Sequence, residues 1–226
     1  MDYKETIIMD QLIFKFPFSK KYYEHDFFVS SNNFSAYKLV ENWPSWPGKW
    51  LNIFGPSGSG KTHLANILEK KIDKTKIINA RSVNNKTIEE LNNLDCLIID
   101  KYENNIDETL LYSILNQSKQ LDNHILINST LSTKDISFKL EDLRSRMNSF
   151  MYIGIELPTD DLLKVIISKT LSDKQITINP KISDFIINNV ERSYEKMIKF
   201  LKDVDELSLS TGKSININLI KKVLDQ

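Results

Sequence analysis

Only one of the 226 residues is cysteine and only six are glycine. One cysteine cannot build a disulfide framework or a cysteine metal cluster. Charge of one sign is missing too: 30 Lys and Arg stand against 30 Asp and Glu, for a formal net charge of zero. That balance argues against a protein that coats DNA by neutralising phosphates, while leaving room for a local basic patch. No apolar run approaches the roughly 20 residues of a membrane span. The start, Met1-Asp2-Tyr3-Lys4-Glu5, lacks the basic head and apolar core of a secretory signal, so no membrane contact and a cytoplasmic location are expected. A hydrophobic fraction of 41% and a charged fraction of 27% are those of an ordinary globular chain. The length suffices for a full core. Cys96, inside Cys96-Leu97-Ile98-Ile99, reads as a small core residue.

What is present shows a clear organisation. Gln11-Leu12-Ile13-Phe14-Lys15-Phe16-Pro17-Phe18 is extended and aromatic. Phe34, Tyr37, Val40 and Trp43 have helical spacing, ending at the turn-rich 43–48. Strands and helices then alternate: strands at 50–54, 76–79, 95–100, 124–128 and 152–155, with helices at 61–71, 107–120 and 140–147. Such alternation predicts a parallel sheet with crossover helices. From Thr159 onward only helices are read, at 159–171, from Pro180, at 193–209 and from Asn216. The expected division is 1–20 as an extended segment, 21–157 as an α/β domain and 158–226 as a helical domain.

Half of the glycines fall in one segment, Gly55-Pro56-Ser57-Gly58-Ser59-Gly60-Lys61-Thr62, which fits G-x-x-x-x-G-K-[ST]. Glycines let the backbone fold around a phosphate chain with its N–H groups pointing inward. The following helix adds the positive end of its dipole. Lys61 is placed to reach the β- and γ-phosphates, and the Thr62 hydroxyl to ligate Mg²⁺. Average composition would produce the four fixed positions by chance in about 1% of chains this long; here a strand also precedes the loop and a helix follows. The expected cofactor is therefore ATP or ADP with Mg²⁺. A metal on phosphates needs an acid, which Asp100 supplies at the end of an apolar strand. Lys101 stands where a second acid would polarise the attacking water, and Glu103 is displaced, so intrinsic hydrolysis is expected to be weak. His25, His63 and His124 show no metal spacing.

The run Gly60-Lys61-Thr62-His63-Leu64 resembles the AAA+ ATPases of the bacterial initiator group, which includes DnaA and the helicase loaders. Within it the chain is most similar to the Hda-type regulators of replication initiation, from Gln11 to the last helix. That implies an α/β AAA+ P-loop NTPase, its parallel sheet flanked by helices, with a small C-terminal all-helical lid. Leu140-Glu141-Asp142-Leu143-Arg144-Ser145-Arg146-Met147 resembles the family's L-x-D-L-x-S-R stretch. The likeness implies that Arg146 is the arginine finger that stabilises charge on a neighbour's γ-phosphate, with Arg144 as the other candidate. At the end of the fourth strand the family senses the γ-phosphate with a polar group, here Asn128 or Thr130. Where the family places a nucleotide-contacting lid arginine, this chain has Glu195.

Gln11, Leu12, Phe14 and Phe16 resemble the family's Q-L-x-L-[PF] peptide, two apolar anchors and a Gln amide that dock on the β sliding clamp. The basic helix-turn-helix domain of a full initiator is not read before Gln226, so direct sequence-specific DNA binding is not expected. The resemblance implies DnaA and the DNA-loaded clamp as partners, allows homo-oligomers, and makes the chain chiefly an activator of ATP hydrolysis on DnaA. A helicase-loader or DnaA-like assembly ATPase is the alternative, and a small-molecule P-loop kinase a more distant one, since Arg192 is the only arginine after Pro158.

Overall fold

A computed structural model describes residues 27–225. Its strands are β1 (Trp50–Phe54), β2 (Thr75–Asn79), β3 (Cys96–Tyr102), β4 (His124–Ser129) and β5 (Met151–Gly154). Between and after them lie helices α1 (Phe34–Glu41), α2 (Lys61–Lys71), α3 (Asn85–Glu90), α4 (Glu108–Gln120), α5 (Glu141–Met147), α6 (Asp160–Ser172), α7 (Pro180–Asn189), α8 (Tyr194–Thr211) and α9 (Ile217–Leu224).

The five strands form one parallel sheet in the order β2-β3-β4-β1-β5. A parallel sheet covered on both faces has apolar residues at successive positions, because alternate side chains face opposite sides. Leu97, Ile99, Ile125 and Ile127 pack with Leu111 and Ile114 of α4 and Leu143 and Met147 of α5. Their neighbours Cys96, Ile98 and Leu126 join Leu51 and Ile53 of β1 with Leu64, Ile67 and Leu68 of α2. Each strand thus feeds two cores. The chain passes from β1 out to β2 and then works back through β3 and β4 to β5. Right-handed crossovers require the helix after β1 to lie on the face opposite the later ones, and α2 does. This reversal of direction leaves the strand ends beside β1 as the usual ligand crevice of an open α/β sheet.

The described residues separate into two units, 27–162 with 192–195, and 163–191 with 196–225. The second unit is helical. It buries Leu163, Ile166 and Ile167 of α6, Ile186 of α7, Leu201 and Val204 of α8 and Ile220 of α9. Asn179 caps α7 by accepting the Lys181 N–H at 2.9 Å, with Pro180 in the first turn. Lys164 and Asp184 pair at 3.0 Å. Among the described residues no helix is long and apolar enough to cross a membrane.

Several details differ from the sequence expectations. Helix α1 stops at Glu41, short of Trp43. Strand β3 runs on to Tyr102, past a register break. Helix α3, absent from the sequence reading, is held by reciprocal bonds between Asn84 and Thr87. Helix α8 runs to Thr211, two residues further than expected, and Gly212 follows with φ +62°.

Candidate functional site

The ends of β1, β3 and β4 bring the predicted residues together. Pairing of Ile53 with Asn128 and of Ile99 with Ile127 sets Asn128 and Asp100 beside the loop that leaves β1. Two glycines of that loop are required by its geometry. A Cβ on Gly55 would lie 2.1 Å from the Ile155 carbonyl oxygen, so only hydrogen fits. Gly60 precedes α2 with φ +103°, a conformation that strains any side chain. No side chain caps α2, which leaves its first-turn N–H groups to a negatively charged ligand.

Lys61 opens α2, and its ammonium donates to the carbonyls of Gly55 at 2.7 Å and Pro56 at 2.8 Å, with Ser59 Oγ at 3.4 Å. Burial holds the ammonium below the ordinary lysine pKa, against the pull of the Asp100 carboxylate. Thr62 Oγ1 donates to the Asp100 carboxylate, 2.9 Å from Oδ2 and 3.2 Å from Oδ1. Asn128 Nδ2 donates to Asp100 Oδ1 at 3.0 Å and to the Lys61 carbonyl at 3.1 Å. Asp100 and Asn128 are both buried. Among the described residues, none donates to the buried Asn128 Oδ1. A buried acceptor of this kind calls for a donor such as bound water. The glycine cradle, the ammonium, the hydroxyl–carboxylate pair and this acceptor fit a nucleotide phosphate chain with a hard divalent cation.

Other predicted residues lie around this cluster. Lys101 follows Asp100 in a left-handed conformation, φ +59°, at a cost of about 1 kcal/mol, and its side chain is exposed. Exposed Glu103 donates its N–H to Asn105 Oδ1 at 3.1 Å. Thr130 is exposed. Arg146, in the last turn of α5, is half-buried and donates from Nε to Asn116 Oδ1 at 3.0 Å. Arg144 is exposed and pairs with Glu141 at 3.1 Å. Arg192 pairs with Asp160 at 3.1 Å. The Tyr194 N–H donates to the Gly58 carbonyl at 2.9 Å, tying the first residue of α8 to the phosphate loop. Gln11, Leu12, Phe14, Phe16 and His25 lie outside the described residues.

Sequence reasoning passed over two residues. Asn52 is fully buried in β1 and bonds four groups on β4 and the turn beyond it. Its signal was present: one polar residue inside an apolar strand. Asn116, the partner of Arg146, carries no such signal, being one of many asparagines on helix surfaces.

Residues 160–224 match the model of the Hda lid domain. Residues 51–142 match a model described as RNA helicase. The chromosomal replication initiator protein DnaA of Buchnera aphidicola subsp. Cinara cedri is 25% identical, over 92% of this chain and 53% of that protein. The fold is that of the AAA+ nucleotide-binding proteins, and the sequence is similar to the DnaA proteins and to the Hda lid. DnaA of Buchnera aphidicola subsp. Baizongia pistaciae is 27% identical, over 100% of this chain and 55% of that protein. The chain thus spans about half the length of the curated relatives it matches. Domain III of Thermotoga maritima DnaA shares the fold at a TM-score of 0.77 and 20% identity, over 93% of this chain and 98% of that one. AMPPCP-bound DnaA from Aquifex aeolicus shares it at 0.68 and 20%, over 86% and 68%. In this AAA+ nucleotide-binding fold, the Gly55–Thr62 loop follows β1 and Asp100 stands on β3.

Proposed function

We propose that this DnaA-related protein binds ADP or ATP with Mg²⁺ in the Gly55–Thr62 loop and acts on DnaA in the cytoplasm, stimulating ATP hydrolysis there and so restraining replication initiation. Gly55, Pro56, Ser57, Gly58, Ser59 and Gly60 wrap the phosphates, and Lys61 exchanges its carbonyl partners for phosphate oxygens. Thr62 and Asp100 hold the cation, which neutralises phosphate charge when bound. Asn128 senses the terminal phosphate beside them. Exposed Lys101, and Glu195 at the start of α8, make the chain's own turnover weak. Residues 1–20 dock on the DNA-loaded clamp through Gln11, Leu12, Phe14 and Phe16, 21–157 hold the nucleotide and 158–226 form the lid.

Arg146 then delivers its guanidinium to ATP on DnaA. The observation that carries this reading is the likeness of residues 160–224 to the Hda lid, on a core whose Arg146 is half-buried and oriented rather than loose. Two measurements test it. ATP-loaded DnaA mixed with loaded clamp and this protein forms ADP faster than DnaA alone, and Arg146→Ala removes the acceleration. Clamp pull-down weakens with Gln11→Ala plus Leu12→Ala; unchanged capture removes the docking segment from the account.

A further inference from the structure

We infer that Asn116 is the positioning residue that aims the Arg146 guanidinium at a partner's phosphate. The inference rests on the trans-acting reading of Arg146 above. Arg146 lies in the last turn of α5 and Asn116 in the third turn of α4, two helices that share the core with Leu111, Ile114, Leu143 and Met147. Both backbones are therefore fixed by packing. The side-chain bond between Arg146 and Asn116 runs from Nε to the Asn116 amide oxygen, at 3.0 Å.

The choice of nitrogen matters. A guanidinium has five N–H donors in one plane, one on Nε and four on the two terminal nitrogens. Engaging Nε leaves all four terminal donors for a phosphate, in the fork that matches two of its oxygens. A neutral acceptor on Nε also leaves the full positive charge for the transition state, where a carboxylate would cancel part of it. Arg144 has the opposite arrangement: a terminal nitrogen is spent on the Glu141 carboxylate and the side chain is exposed. The bond to Asn116 removes rotamers that a free arginine would lose only on reaching the phosphate.

Asn116 is half-buried, and leucine there is close in size and a better helix former, so it deletes the acceptor without weakening α4. Asn116→Leu is expected to lower the maximal rate of stimulated ATP hydrolysis on DnaA about tenfold, the scale of one hydrogen bond to a charged group. The concentration giving half-maximal stimulation, the affinity for ADP and the melting temperature stay within twofold or a few degrees of the native values, which separates aiming from docking and from folding. Asn116→Asp, which keeps an acceptor in the same place but sets a carboxylate against the guanidinium, restores part of the rate and stays below the native one. A maximal rate unchanged in Asn116→Leu, a loss seen only as weaker half-maximal concentration, or an Asp variant as slow as the Leu variant overturns the inference. Arg146→Ala is run alongside: full stimulation in that variant overturns the trans-acting reading itself, whereas its loss together with a native Asn116→Leu rate overturns only the role of Asn116.

Discussion

Replacing Asn52 by leucine probes how the turn after β4 is held against the sheet. Asn52 sits fully buried in β1. Its Nδ2 donates to the Ile127 carbonyl and to Ser129 Oγ, both at 2.9 Å. Its Oδ1 accepts from the Thr133 N–H at 3.0 Å and from the Thr133 hydroxyl at 3.2 Å. Leucine is close in size, so cavity and overpacking costs are small. Ser129 keeps its bond to the Leu131 carbonyl at 2.6 Å. The two Thr133 donors, also fully buried, lose their acceptor. At about 1–3 kcal/mol per orphaned buried group the loss is about 2–6 kcal/mol. The apolar gain of leucine offsets about 1–2 kcal/mol, which leaves a net destabilisation of about 3 kcal/mol. The three tryptophans stand at 43, 46 and 50, in the same unit as Asn52. Their fluorescence in urea therefore follows that unit rather than the helical one. With a slope of about 2 kcal/mol/M, the midpoint falls by about 1.5 M at unchanged slope. A fall below about 0.5 M would refute the claim that this amide pins the turn.

Two further outcomes are expected from the site and from the opposite end of the sheet. ADP at about 100 times its Kd stabilises the native protein by about 2.7 kcal/mol, a melting-temperature rise of roughly 5–10 °C for a chain of this size; Lys61→Ala loses most of that rise, and an undiminished rise would move the nucleotide elsewhere. His124 packs edge-on to Trp43 and Trp46, 4.1 and 5.5 Å between centroids, and burial, helped by the Lys49 cation, holds its pKa below the ordinary histidine value. The unfolded chain then takes up the proton first, so stability falls as pH drops below about 6.5 and levels off once the folded state also protonates. His124→Gln flattens this slope in pH-dependent urea melts, and an equal slope in the variant would assign the effect to another group.

The parts that were legible in the sequence are those where one requirement dictates the residue type. The phosphate loop could be read because close approach at Gly55 and a left-handed turn at Gly60 admit only glycine. Strand β3 could be read because both of its faces are covered, which makes 96–99 continuously apolar. Alternation of strands and helices pointed to a parallel sheet, but not to its order: β2-β3-β4-β1-β5 depends on which crossovers run in which direction, and no single residue records that. The short helix α3 escaped because six residues carry too little periodicity and its cap uses Asn84 and Thr87 rather than a glutamate. Arg192 is the only arginine after Pro158, and its pairing with Asp160 could not be read across 32 residues of sequence. The same distance problem hid Asn116: the bond to Arg146 spans 30 residues and depends on how α4 and α5 pack.

Arg146, as proposed above, completes the hydrolytic site of another ATPase. The most direct test of this role is single-turnover ADP formation on ATP-loaded DnaA, with DNA-loaded clamp and saturating amounts of this protein. Acceleration is expected from the native chain and a return to the rate of DnaA alone with Arg146→Ala, while that variant is still captured by the clamp and still takes up ADP. Full acceleration by Arg146→Ala would contradict that role.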